Sequence, residues 1–269
     1  MNIIVTVKQV PDPEAPAGAF RIGPDDRAVV SPTVSSVLSP YDESALEAAL
    51  QLREAHGGKV TLVCLGTEPD DNFLHEAMAT GADEGYLIVD DVFADGDAFA
   101  TAYALSKAIA TIGDYDLILC GRQASDTDAG IVGSVIAESL GLPTATVIRK
   151  VEVLGDPSSG RIKAERVIED GIEVLEIPLP ALLTTTSELY TLRYASIPDI
   201  MAASEKPVTI WSASDIGADE DELKARANLS VVHKHFIPVS QTKCEIVSGE
   251  SIEEAAAGLA QALRNRKVI

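Results

Sequence analysis

The chain has 269 residues, enough for one large domain or two small ones with a sizeable core; 46% are hydrophobic and only 4% aromatic, which disfavours an all-β fold. A formal charge of −21 and a pI near 4.4 argue against nucleic acid or an anionic membrane as partner, because like charges repel at long range. Cys64, Cys120 and Cys244 lack C-x-x-C spacing and read as buried thiols of a reducing cytoplasm. The opening MNIIVTVKQV lacks the order of a signal peptide, and no apolar run approaches the ~20 residues of a membrane span, so a cytoplasmic protein is expected.

Near-continuous apolar runs at Ile3 to Val7, Val60 to Leu65, Tyr86 to Val89, Leu117 to Cys120 and Ala145 to Ile148 predict strands buried on both faces. Between them, Ser44 to Glu54, Ala98 to Ile112 and Ile131 to Leu140 carry apolar residues at helical spacing. Strand alternating with helix predicts a Rossmann-like α/β fold with a parallel sheet and flanking helices. The first crossover holds five prolines between Gln9 and Ser39, and a loop that long in a compact domain is usually functional or covers something.

After Lys150 the pattern changes. Val151 to Leu154, the turn GDPSSG, Lys163 to Ile168 and Glu173 to Ile177 predict an antiparallel elaboration of the same sheet. A last strand, ALLTTT from Ala181, leads into Tyr190 to Pro207, then a polar linker ADEDELKARANLS. A final helix, Ser251 to Arg264, is marked by a capping box of Ser251 and Glu254; its apolar stripe docks either on this chain or on another subunit.

In an open α/β sheet, ligands bind outside the carboxyl ends of strands where the strand order reverses. Four stretches leave such ends: Lys8-Gln9, Ser39 to Asp42, Leu65-Gly66-Thr67 and Gly121 to Gly133. In the last, Gly121 and Gly130 permit close backbone approach, Ser125 and Asp126 can bond neighbouring backbone, and the helix beyond offers free N–H groups to an anion, as a nucleotide's phosphate and sugar require. Asp126 and Asp128 also suit a second role, capping that helix and facing its dipole. A metal or acid/base role is disfavoured, since no His accompanies them. His233 and His235 form an H-x-H on an alternating stretch, expected to be a surface strand rather than a metal site for want of a third ligand. Trp211 reads as packing.

Four stretches together resemble the β subunit of electron transfer flavoproteins, including the nitrogen-fixation-associated FixA-like branch. They are VKQVPD (Val7 to Asp12), SPYDESALEAAL (Ser39 to Leu50), GADEG with GRQASD (Gly81 to Gly85 and Gly121 to Asp126), and AERVIEDGIEVLEIPLPALLT followed by RYASIPDIM. The resemblance implies an adenine nucleotide alpha hydrolase-like domain over residues 1–210 with a recognition loop at 187–207. Residues 211–269 would form a linker and arm docking on an α subunit. It further implies a heterodimer whose α subunit holds the redox-active FAD, while the β subunit holds AMP or, in electron-bifurcating members, a second FAD, and has no enzyme chemistry of its own.

By the same likeness the nucleotide is embraced by Thr6, Val7, Lys8, Ser39, Pro40, Tyr41, Asp42, Leu65 and Gly66. The loop Gly121, Arg122, Gln123, Ala124, Ser125, Asp126, Thr127, Asp128, Ala129, Gly130, Ile131 and Val132 completes the enclosure. Tyr41 and Arg193 would approach the flavin of the α subunit. Tyr194, Ile197, Pro198, Ile200 and Met201 would form the docking surface, with Ile197 as apolar anchor. The partners so implied are acyl-CoA or related flavin dehydrogenases as donors and an ETF-quinone oxidoreductase-like acceptor. Ser39 stands where the family usually has Asn, and Thr127 and Ala129 interrupt the bifurcating pattern, so AMP, FAD and an empty site all remain open. A stand-alone nucleotide-binding regulator or ATP-cleaving enzyme would carry an S-G-G-x-D/S-type loop after the first strand, where this chain has Lys8-Gln9-Val10-Pro11.

Overall fold

The computed structural model describes the chain except residues 67, 69, 70, 95, 156–159, 227, 228 and 240–242. Thr67 and the interior of the expected GDPSSG turn therefore lie outside the described residues. The fold is built on one nine-stranded sheet.

At its centre is β1 (Ile3–Val7), all five residues of which are buried, because helices cover both faces and no position is left for a polar alternate. The segment from Gln9 to Leu38 forms two small antiparallel pairs, β2 (Gln9–Pro11) with β5 (Ser36–Leu38) and β3 (Phe20–Ile22) with β4 (Ala28–Val30). Helix α1 (Pro40–His56) follows, its Pro at the first helical position where a missing N–H costs nothing. Then come β6 (Val60–Leu65), α2 (Asn72–Met78), β7 (Glu84–Ile88), α3 (Ala98–Ile112), β8 (Leu117–Gly121) and α4 (Val132–Leu140). The expected strand at Ala145 and the excursion at Val151 are one strand, β9 (Thr144–Val153). It is followed by β10 (Arg161–Ile168), β11 (Gly171–Pro178) and β12 (Ala181–Thr185).

Eight of the nine strands lie in the order β11-β10-β9-β12-β8-β1-β6-β7, and the ninth follows at the β7 edge. From β9 through β7 neighbours pair in parallel, and β9-β10-β11 pair antiparallel. The chain runs outward from β1 through β6 and β7, then returns to the other side of β1 with β8. The strand order therefore reverses between β1 and β8, where Thr6 lies level with Cys120.

Two apolar layers hold the helices. Ala45, Leu46, Ala49 and Leu50 of α1, with Leu74 and Met78 of α2, pack on one face; Ala104, Leu105, Ala108 and Ile109 of α3, with Ile136 and Ala137 of α4, pack on the other. Each buried Leu or Ile here contributes about 1.5–3 kcal/mol. The alanines between them let helix backbones approach the sheet.

Three features depart from the pattern-based expectation. The stretch expected to be a recognition loop contains a helix, α5 (Ile197–Ala203), started by a capping box in which Ser196 and Asp199 exchange hydrogen bonds. A further parallel strand, β13 (Val208–Trp211), pairs with β7, and Trp211 packs on Tyr86 with ring centroids 4.5 Å apart. The polar linker folds as α6 (Glu220–Arg226), whose Leu223 is buried against the α3 layer. Core residues thus continue past position 210, through Ala213 and Ile216 to Leu223.

The expected strand at His233 and His235 is absent. That stretch is irregular and tied by its backbone: His235 N–H donates to Asp26 O at 2.8 Å, and His235 Nδ1 accepts from Ala28 N–H at 3.2 Å. The last helix, α7 (Ile252–Asn265), buries none of its residues, and Ile252 is 85% exposed. Ser251 makes its half of the cap, accepting from Glu254 N–H, but the Glu254 carboxylate accepts from Glu250 N–H instead of Ser251 N–H. No helix among the described residues is long and apolar enough to cross a membrane.

Candidate functional site

The carboxyl ends of β1 and β8 are joined by a buried acid. Asp42, in the first turn of α1, accepts from Lys8 N–H at 2.9 Å with one oxygen and from Gly121 N–H at 3.1 Å with the other. Burial pushes its carboxyl from 3.8 up to about 7, outweighing the two backbone donors and the nearby Lys8 charge. Gly121 is required at this joint: a Cβ there would press on the Asp42 carboxylate and come within 2.8 Å of Tyr41 Cβ. Behind Asp42 the Cys64 and Cys120 thiols are pushed up to about 12 by the same burial, and Thr6 hydrogen-bonds Cys120.

The loop after β8 is strapped from two sides. Lys8 Nζ reaches both Asp126 oxygens, at 2.8 and 2.6 Å. Gln123 Nε2 donates to Asp128 Oδ1 at 2.6 Å and to the Tyr41 hydroxyl at 3.2 Å, while Gln123 Oε1 accepts from Arg122 Nε at 3.0 Å. The Arg122 guanidinium lies 6.0 Å from the centre of the Tyr41 ring. Asp128 and Gly130 take positive φ, 49° and 66°, and turn the chain through Ile131 into α4. Neither Asp126 nor Asp128 caps that helix: its N-cap is Ile131, which makes no side-chain cap bond, so the N–H groups of the first turn stay available.

The sequence-derived residues therefore divide. Lys8, Tyr41, Asp42, Gly121, Arg122, Gln123, Asp126 and Asp128 form one connected group, with Thr6 and Val7 behind it, Ser39 and Pro40 at the start of α1, and Thr127 to Val132 along the loop. Leu65 and Gly66 lie at the end of the adjoining strand, where Gly66 N–H donates to Ile88 O.

Arg193 stands apart from that group. Its guanidinium is bound by Glu47, with Nη2 to Oε1 at 2.8 Å, and by Glu54, both on α1. Burial alone would raise Glu47; the Arg193 and Gln51 hydrogen bonds outweigh it and hold the carboxyl below its usual range. With Tyr190 N–H donating to Ser44 Oγ at 3.0 Å, these contacts lay the segment before α5 along α1. A surface groove of about 440 Å³ runs beside it between Pro40, Glu43, Glu76, Tyr190 and Tyr194. Beyond it, Tyr194, Ile197, Ile200 and Met201 are 99, 76, 53 and 70% exposed, so Ile197 is not tucked into its own subunit.

Two buried hydroxyls in the first group, Ser39 Oγ and Ser125 Oγ, have no hydrogen-bond partner. A buried polar atom left unpaired costs about 1–3 kcal/mol. Pattern reading missed Thr184 and Thr185. Thr185 Oγ1 donates to Tyr41 O at 3.1 Å and Thr185 O accepts from Arg122 N–H at 2.9 Å, so the end of β12 fixes both the start of α1 and the loop. The signal was the unusual run of three threonines closing an otherwise apolar strand. Among the described residues no group of three or more His, Cys, Asp or Glu is placed to hold a metal.

A mostly parallel sheet reversing about β1, helices on both faces and a cluster of polar groups at the reversal define a Rossmann-like α/β protein. A family model described as the electron transfer flavoprotein domain matches residues 28–216, and the chain belongs to that family. Over 270 residues and the full length of both chains it is 42% identical to the electron transfer flavoprotein subunit beta of Thermoanaerobacterium thermosaccharolyticum. It is 36% identical, again over both full lengths, to CarD of Acetobacterium woodii, a subunit of a caffeyl-CoA reductase-Etf complex. Protein FixA of Azorhizobium caulinodans is 35% identical across 90% of this chain and 86% of that one.

Proposed function

We propose that the chain is the β subunit of a heterodimeric electron transfer flavoprotein. With its α subunit it takes electrons from flavin dehydrogenases, acyl-CoA dehydrogenases among them, and passes them to a quinone reductase or similar acceptor. The flavin, held mainly by the α subunit, supplies the electron-carrying chemistry when bound. This chain acts as scaffold and docking surface, and its crevice holds an adenine nucleotide, either AMP or the adenylate end of a second FAD.

The observation that carries the nucleotide reading is the pair of unpartnered hydroxyls, Ser39 and Ser125, beside an uncapped helix start. The residues suit that ligand: the first-turn N–H groups of α4 offer donors to a phosphate, and Lys8 holds Asp126 so that the loop keeps its shape. Tyr41, fixed by Gln123, serves at the flavin side. Arg193 enters as the residue that pins the segment carrying Tyr194, Ile197, Pro198, Ile200 and Met201, an exposed face on which a partner docks.

The test is to co-express the chain with its α subunit, count flavin per heterodimer and identify the nucleotide released on denaturation by mass. A yellow one-to-one complex is expected to release AMP alongside one FAD, or FAD alone in twice the amount. The Ser39→Ala/Ser125→Ala pair should lower nucleotide retention while leaving the nucleotide-free chain more stable than wild type, since only unpaired buried hydroxyls are removed. A colourless chain that never associates with a flavoprotein subunit overturns the proposal.

A further inference from the structure

Within β9, Val147 has a φ of +60°, a left-handed conformation that a β-branched residue adopts at a cost of about 1–3 kcal/mol. The cause is one extra residue. Toward β12, Leu183 pairs with Ala145 but Thr185 with Ile148; toward β10, Glu165 pairs with Lys150 but Arg166 with Ile148. Arg149 is the extra residue toward β10, and Val147 lies in the bulge that faces β12. Its Val147 N–H is taken up by Thr184 Oγ1 at 3.1 Å. Strained bulges persist where surrounding structure holds them, and they gather beside functional sites, where they re-aim neighbouring groups.

Thr184 is 3% exposed, and its other branch points at the crevice helix. A Cβ on Gly133, in the first turn of α4, would lie 2.6 Å from Thr184 Cγ2, a separation real Cβ atoms do not show, whereas its next neighbours, Cys120 Cβ and Leu182 Cδ2, would be at ordinary distances of 3.4 and 3.5 Å. One side chain therefore pins the bulge with its hydroxyl and seats the first turn of α4 with its methyl.

We propose that Thr184 is a positioning residue for the nucleotide crevice, setting the placement of the α4 N–H groups through its contact with Gly133 while its hydroxyl holds the Val147 bulge. This rests on the reading that the crevice takes an adenine nucleotide. The donor field of a helix start fades within one turn, so the position of Gly133 governs how well an anion is held. Thr185, the next residue, fixes α1 and the loop in the same way. The end of β12 is thus the common seat of three walls of the crevice.

The test uses the heterodimer and three forms of this chain: Thr184→Val, which keeps the branched shape but removes the acceptor; Gly133→Ala, which drives a methyl into Thr184; and Gly133→Ala with Thr184→Ser, which makes room for it. Bound nucleotide is stripped by dialysis and AMP is titrated back, or FAD where FAD is what the wild-type complex releases, with the absorbance of the α-subunit flavin followed in parallel. Both single variants should keep the flavin but bind the nucleotide about tenfold more weakly. The double variant should recover most of that loss, a non-additivity expected of groups in direct contact. Wild-type affinity in Thr184→Val, or equal affinity of Gly133→Ala and the double variant, overturns the proposal. A wild-type complex that releases only the α-subunit flavin and binds no AMP overturns instead the reading of the crevice, and this inference with it.

Discussion

Replacing Asp42 by Asn is expected to change how the stability of the chain varies with acidity. Asp42 is 6% exposed, and burial lifts its carboxyl from 3.8 to about 7 although Lys8 N–H, Gly121 N–H and the Lys8 charge all favour the ionised form; the charge of Asp126 adds to the rise. The other titratable groups facing it, Cys64 and Cys120, are pushed up to about 12 and stay neutral across the range concerned. Because the folded value lies above the unfolded one, the folded chain keeps a proton that the unfolded chain releases. The stability this contributes is fully present below the unfolded value and is lost as pH rises through the folded one. A rise of about three units at about 1.4 kcal/mol each amounts to roughly 4 kcal/mol. Asn has no proton to exchange, so the variant lacks this dependence. Urea unfolding followed by fluorescence of Trp211, the chain's one tryptophan, from about pH 4 to about pH 8 measures it. The wild type should lose roughly 4 kcal/mol relative to Asp42→Asn across that window. Parallel profiles would refute the claim that burial, rather than the two backbone donors, governs Asp42.

Arg193→Gln leaves Glu47, whose side chain is 6% exposed, without its charged partner; because Arg193 is itself one-third exposed the expected cost is about 2 kcal/mol, below that of a fully buried pair. Glu47 and Glu54 are both held below the usual carboxylate range, so their contribution is present above the unfolded value and lost as pH falls through the folded one. The gap between wild type and variant should accordingly close on the acid side, which urea titrations check. Ile197→Ala, removing an exposed side chain at the start of α5, should slow electron transfer from the partner dehydrogenase and leave the flavin spectrum unchanged; an unaltered transfer rate places docking elsewhere.

The strands legible in the sequence were those buried on both faces. In β1, β6 and β8 the loss of polar alternation is itself the signal, and length separates them from helices. What escaped were elements stabilised by neighbours rather than by their own pattern. β13 is four residues long and gains its place by pairing with β7, while α2 and α5 have seven residues each, too few for a period to emerge. Leu223 is the one apolar residue that ties α6 to the core, so its segment reads as polar linker.

At the site, Lys8, Asp42, Gly121 and Asp126 were legible because short polar residues and glycines after a buried strand have few other uses. Their partners were not legible. Asp42 meets Gly121 across 79 positions and Lys8 meets Asp126 across 118, and only the strand order brings them together. Thr184 stayed hidden because threonine suits a strand on its own merits, and nothing local announces that its hydroxyl serves a bulge 37 residues away.

The placement of the three cysteines has a practical consequence. Cys64 and Cys120 are enclosed in the sheet, whereas Cys244 is exposed in the segment leading to α7. A thiol-directed dye has a single address on the folded chain, and that address is on its trailing limb. Brightness or energy transfer from a label there would report where the limb goes when another polypeptide arrives, with the sheet left untouched.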